Sequence, residues 1–205
     1  PAIRNASLLS SMGNRGEAVH LASAALKMAP KNIGVAADAA TIIGGDLDRL
    51  TDDGRQQLFN LVEQIQTASS PFEPRTLPLY AEFLARNGDI SGAEEQVKQA
   101  LNSNAILPES VFLQLARVSD AHDLGLAEAC YEKAADTTGV TPRLALARAV
   151  EAHKAGDGEK GLQIVNNAVK SAGNAPGWET VVPEFLELTR DAAAVQAWTK
   201  AADEN

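Results

Sequence analysis

Apolar positions along this chain recur every three to four residues rather than every two. Leu77, Tyr80, Ala81 and Leu84 fall at i, i+3, i+4 and i+7, and Trp178, Val181, Val182 and Phe185 repeat that spacing. Each set therefore lies on one stripe of a helix. Alternating runs rich in Val, Ile and Thr, which strands would need, are absent from the sequence. A second pattern is laid over the first. Ala93–Ala100, Ala127–Ala134 and Gly161–Ala168 each read small residue, three residues, large residue, two residues, Ala, with Val97, Tyr131 and Val165 in the large slot. The closing alanines at 100, 134 and 168 are two steps of 34 apart. The octet appears again as Ala18–Ala25, with Ala22 in the large slot, and as Ala194–Ala201, with Trp198 there.

Turn residues punctuate the octets. Gly13-Asn14, Gly88-Asp89 and Gly156-Asp157 place a glycine five residues ahead of the small residue in three of them. Glycine takes the left-handed backbone angle that ends one helix, and Asp or Asn can cap the free N–H groups of the next. Pro30, five residues past Ala25, stops a second helix. The chain thus divides into helix pairs at about 1–32, 33–71, 72–106, 107–140, 141–174 and 175–205. The second pair is irregular. Its first helix spans Ile33 to Ile43, residues 44–51 form a lengthened connection capped by Thr51 or Asp52, and its second helix carries Leu58, Leu61, Val62 and Ile65. Ala25 and Ala100 are 75 residues apart, seven more than two repeats, which the insertion accounts for.

A helical hairpin repeated every 34 residues resembles the tetratricopeptide repeat family over essentially the whole chain. The resemblance implies an all-α, right-handed superhelix, a solenoid of about six helix pairs forming one array, with first helices lining a concave groove. It further implies a partner-facing surface carrying Arg75, Glu82 and Arg86 from the third pair, Phe112 with Glu109, Ala116 and Asp120 from the fourth, and Arg143, Leu146, Val150, His153 and Lys154 from the fifth. There Arg75, Arg86 and Arg143 would pair acidic side chains, and Phe112 and Leu146 would be apolar anchors. Pro78 and Glu82 occupy slots where chaperone-tail binders need cations or amides, so that ligand is not expected.

Composition agrees with close-packed helices. Aromatic residues make up 4% of the 205 residues, and alanine, the best helix former, takes their place. The net charge of −9 disfavours nucleic acid and direct binding to anionic membranes, both of which depend on Lys and Arg. No apolar run approaches the ~20 residues that span a bilayer. The opening Pro1-Ala2-Ile3-Arg4, without an initiator Met, is expected of a processed product or a piece of a longer polypeptide, and the compartment stays open. Cys130 is the sole cysteine and is expected to be a buried inert thiol. His20, His122 and His153 lie outside any metal spacing, residues 46–54 only superficially resemble a calcium loop, and Gly156–Gly161 lacks the Lys-Ser/Thr of a phosphate loop. Neither a cofactor, nor a metal, nor catalysis is expected. The expected function is a scaffold holding a protein or peptide partner. One alternative is a structural segment that self-associates through apolar ends (Ala2, Ile3, Ala6 and Leu9; Val195, Trp198 and Ala201). A more remote one is an accessory module of an enzyme.

Overall fold

The computed structural model describes residues 2–173, 175–190 and 195–196. Among them are eleven α-helices and no strand. In chain order they are α1 Ala2–Ser11, α2 Arg15–Met28, α3 Ile33–Gly44, α4 Asp52–Ala68, α5 Leu77–Arg86, α6 Ile90–Asn102, α7 Glu109–Ala121, α8 Ala127–Thr138, α9 Pro142–Lys154, α10 Gly158–Ala172 and α11 Val181–Thr189. The octet expected at 194–201, with Trp198 and Ala201, lies outside the described residues except for Val195 and Gln196.

Three hairpins close with the same turn. Gly13, Gly88 and Gly156 have φ of 79°, 83° and 89°. After each, the next backbone N–H reaches back five residues: Asn14 to the Leu9 carbonyl at 2.9 Å, Asp89 to Leu84 at 2.9 Å and Asp157 to Ala152 at 3.0 Å. This is the bond that satisfies stranded carbonyls at a helix end. The carboxylates of Asp89 and Asp157 then accept from Gly92 N at 2.9 Å and Lys160 N at 3.0 Å. Asn14 departs from the pattern. It makes no capping bond, and its amide donates to Glu17 Oε2 at 2.9 Å instead.

The octets point inward. Ala18, Ala22, Ala25, Ala93, Val97, Ala100, Tyr131, Ala134, Gly161 and Val165 are buried, while Ala127 and Ala168 are partly exposed. Gly161 shows why the slot is small. A Cβ there would stand 2.7 Å from the Ala149 carbonyl oxygen on α9 and 2.9 Å from Phe185 Cζ on α11.

Contacts sort into two compact bodies, Pro1–Asn104 with Ala121–Leu124, and Ala105–Asp120 with Gly125–Asn205. In the first, each of α1 to α6 packs on its sequence neighbour and α1 also meets α3. One core of Ala6, Ala18, Ala22, Ala39 and Ile42 joins α1, α2 and α3. Another of Leu58, Val62, Ile65 and Phe83 with Ala36, Ala37 and Ala40 joins α3, α4 and α5. In the second body α9 packs on α10, α11 packs on both, and the core is Ala145, Ala149, Val165, Trp178, Val181, Val182, Phe185 and Leu186. First helices thus meet first helices of the next pair, α1 with α3 and α9 with α11, as stacked hairpins require.

The lengthened connection of the second pair is ordered by its own polar groups. It contains a 3₁₀ turn, Leu47–Arg49. Thr51 Oγ1 accepts from Gly54 N at 3.2 Å to cap α4. Arg55 donates to the carbonyls of Leu47 and Leu50 at 3.3 and 2.8 Å. Gln66 holds the segment before α5 by accepting from Glu73 N at 3.0 Å and donating to Glu73 O at 2.9 Å and to the buried Thr76 Oγ1 at 3.0 Å.

Candidate functional site

The residues expected to face a partner have three different fates. In the first body the cations are neutralised within the chain. Arg75, just ahead of α5, donates to Asp38 Oδ1 of α3 at 2.7 Å, to Glu73 Oε1 at 2.8 Å and to the Gly34 carbonyl at 3.3 Å. Its hydrogen bond is the main reason the Glu73 carboxyl sits below the usual carboxylate range. Arg86, in the last turn of α5, bonds Glu82 one turn back and Asp48 Oδ1 at 2.7 Å, and its bond holds the Asp48 carboxyl low. Glu82 Oε2 is also 3.0 Å from His122 Nε2. Arg75, Glu82 and Arg86 therefore form closed networks that tie α5 to α3 and to the connection after it.

Phe112 is the second case and a correction. Its ring is 1% exposed, because it faces the inside of α7 together with Leu115, Ala116 and Ser119. It gives a partner no surface to touch.

The third case is a cleft in the second body. Arg143 and Leu146 of α9 open onto a hollow of about 530 Å³ that is also lined by Glu109 at the start of α7 and by Thr180, Val181 and Glu184 at the start of α11. First-helix residues of three successive pairs thus converge. Pro142 and Leu146, both half-buried, make its apolar wall, while Val181, which also borders it, is buried in the core. Glu109 is fixed by hydroxyls. Its Oε2 accepts from Thr141 Oγ1 at 2.9 Å and from Thr138 Oγ1 at 3.3 Å, while the Thr141 hydroxyl oxygen caps α9 by accepting from Leu144 N at 3.1 Å. Arg143 and Glu184 are both exposed, and neither makes an ion pair among the described residues. His153 lies seven residues beyond Leu146, roughly 10 Å along the helix at 1.5 Å per residue, and packs edge-on against Phe185 with ring centroids 6.2 Å apart. It does not line the cleft. Thr180 and Glu184, which do, were missed because groove positions were carried only as far as the fifth pair. The Trp178–Phe185 stripe held the signal.

Two other hollows differ in character. One of about 500 Å³ lies against Ala145, Ile164, Ala168 and Trp178, and the arginine on its edge, Arg148, is already paired with Glu128. The other, about 480 Å³, lies over Phe59 and Phe83, and its two arginines, Arg55 and Arg86, are paired with Asp52 and Asp48. Among the described residues, no three His, Cys, Asp or Glu side chains come together as metal ligands, and no helix is long and apolar enough to cross a membrane. Burial pushes the Cys130 thiol up to about 12. It also raises the Asp120 carboxyl, with the Glu151 charge adding to the effect.

Stacked antiparallel helix pairs with small residues at their contacts define an all-α helical-repeat protein of the solenoid class. A solved structure of PilF from Pseudomonas aeruginosa, a protein that contains tetratricopeptide repeats, has the same fold. It superimposes with a TM-score of 0.56 at 17% identity, covering 96% of this chain and 86% of that one. The likeness is one of fold alone. No protein-family model matches the chain, and no curated protein matches it.

Proposed function

We propose that the chain is a tetratricopeptide-type interaction scaffold, without catalysis of its own, which holds a segment of a partner protein in the cleft of α7, α9 and α11. The observation that carries this reading is the convergence of an apolar wall with two exposed charges that have no ion-pair partner among the described residues, Arg143 and Glu184. This wall is bordered by residues from the starts of three successive first helices, α7, α9 and α11. The Arg75 and Arg86 networks set the geometry of α5 rather than contacting a partner. The direct experiment is co-purification of the tagged chain from its own cells beside Leu146→Glu and Thr180→Arg variants. The expected result is a protein retained by the parent chain and lost with both variants while their far-UV spectra are unchanged. A partner held equally by all three would place recognition elsewhere.

A second reading, self-association, is favoured by Leu8 and Met12. Leu8 lies on α1 and Met12 four residues on, in the turn just past its end, and they are 60% and 71% exposed, whereas Ala6 is buried and Ile3 and Leu9 pack on the neighbouring core. Sedimentation equilibrium of the parent and of Leu8→Glu/Met12→Glu separates the two readings, since only self-association would give a mass that rises with concentration and falls back in the variant.

A further inference from the structure

We propose that the cleft recognises an extended peptide through one aliphatic side chain and through the peptide backbone beside it, and that charge in the ligand contributes little. This inference rests on the reading of the cleft as the partner groove. Arg143 and Glu184 carry opposite charges and line the same hollow from α9 and α11, yet they do not pair with each other or with any described residue. Two opposite charges that share a cleft and stay apart leave a gap with a donor on one side and an acceptor on the other. A peptide unit has the complementary pair, a carbonyl for the guanidinium and an N–H for the carboxylate. Both would be charge-assisted bonds.

The charges around the wall also balance. The Glu109 and Glu184 carboxylates are set against the Arg143 guanidinium, and α9 and α11 both begin at the cleft, each presenting the positive end of a helix dipole. Neither an acidic nor a basic segment is favoured by such a surface. Selection falls to the half-buried apolar wall of Pro142 and Leu146, which one aliphatic side chain can cover.

Selection of a random nonapeptide phage library on the immobilised full chain tests this. The enriched clones are expected to share one aliphatic residue and to show no excess of acidic or basic residues. Synthetic versions should lose affinity about tenfold or more on Arg143→Gln and on Glu184→Gln, whatever their flanking residues, as expected for loss of a charged hydrogen bond. Their dissociation constants should change less than about threefold between 50 and 500 mM salt, because few counterions are released. Clones that share a charged residue, or losses confined to peptides with a matching charge, would overturn the backbone-recognition inference while leaving the groove in place. No enrichment at all, or clones that bind Thr180→Arg as well as the parent, would remove the groove reading itself.

Discussion

Small side chains decide where these helices touch, and Gly161 is the most constrained of them. With the Ala149 carbonyl 2.7 Å and Phe185 2.9 Å from where a methyl would sit, Gly161→Ala must push α10 away from α9 or rotate Phe185 out of its core. The expected cost is about 1–3 kcal/mol, visible as a lower midpoint in urea, and an unchanged midpoint would mean that the helices are farther apart. Asp120 gives the opposite sign. Its folded carboxyl is raised above the ordinary value of 3.8 by burial and by Glu151, so the folded state prefers it protonated, and stability falls as pH rises through that raised value. Asp120→Asn should therefore be more stable than the parent at neutral pH, with the difference vanishing below about pH 3.8, where both folded and unfolded parent are protonated. Thermal melts across pH 3–8 check this. The Cys130 thiol, buried and held near 12, should react with a thiol reagent only at the rate of unfolding.

At the scale of the element, the three equivalent turns share a backbone but differ in their caps. Asp89 and Asp157 each accept a backbone N–H, whereas Asn14 does not. Replacing either aspartate by alanine should cost about 1 kcal/mol, and Asn14→Ala should cost measurably less. Equal losses at all three would show that the side chain is not what caps them. The turns and their register were legible in the sequence because a left-handed glycine followed by a polar residue is a local requirement. The ends of α3 and α4 were legible for the same reason, through periodicity and Thr51. What holds residues 69–76 was not. Gln66 reaches across to Glu73 and Thr76, and an isolated glutamine in a helix gives no sign of this. Gln66→Ala should lower stability by about 1–3 kcal/mol by stranding the buried Thr76 hydroxyl.

Within each body, α1 to α6 pack on their sequence neighbours, α9 packs on α8 and α10, and α1–α3 and α9–α11 bring first helices of successive pairs together. Stability in such a chain is close to a sum of local terms and nearest-neighbour interfaces. Hydrogen exchange should then show a graded series of opening free energies along the helices. A single value shared by α1, α5 and α10 would indicate one cooperative core instead.

The sequence by itself determined that the chain is all-helical, where its hairpins turn and which small residues face inward, because periodicity, propensity and glycine angles act over a few residues. Only the tertiary structure decided which charged residues remain available. Arg75 and Arg86 met carboxylates from 37 and 38 positions away, Phe112 turned into the core, and Arg143 came to line the same cleft as Glu184 without pairing with it. Those outcomes depend on which helix faces stack on one another, and helical spacing places a side chain on a face without specifying what that face will meet.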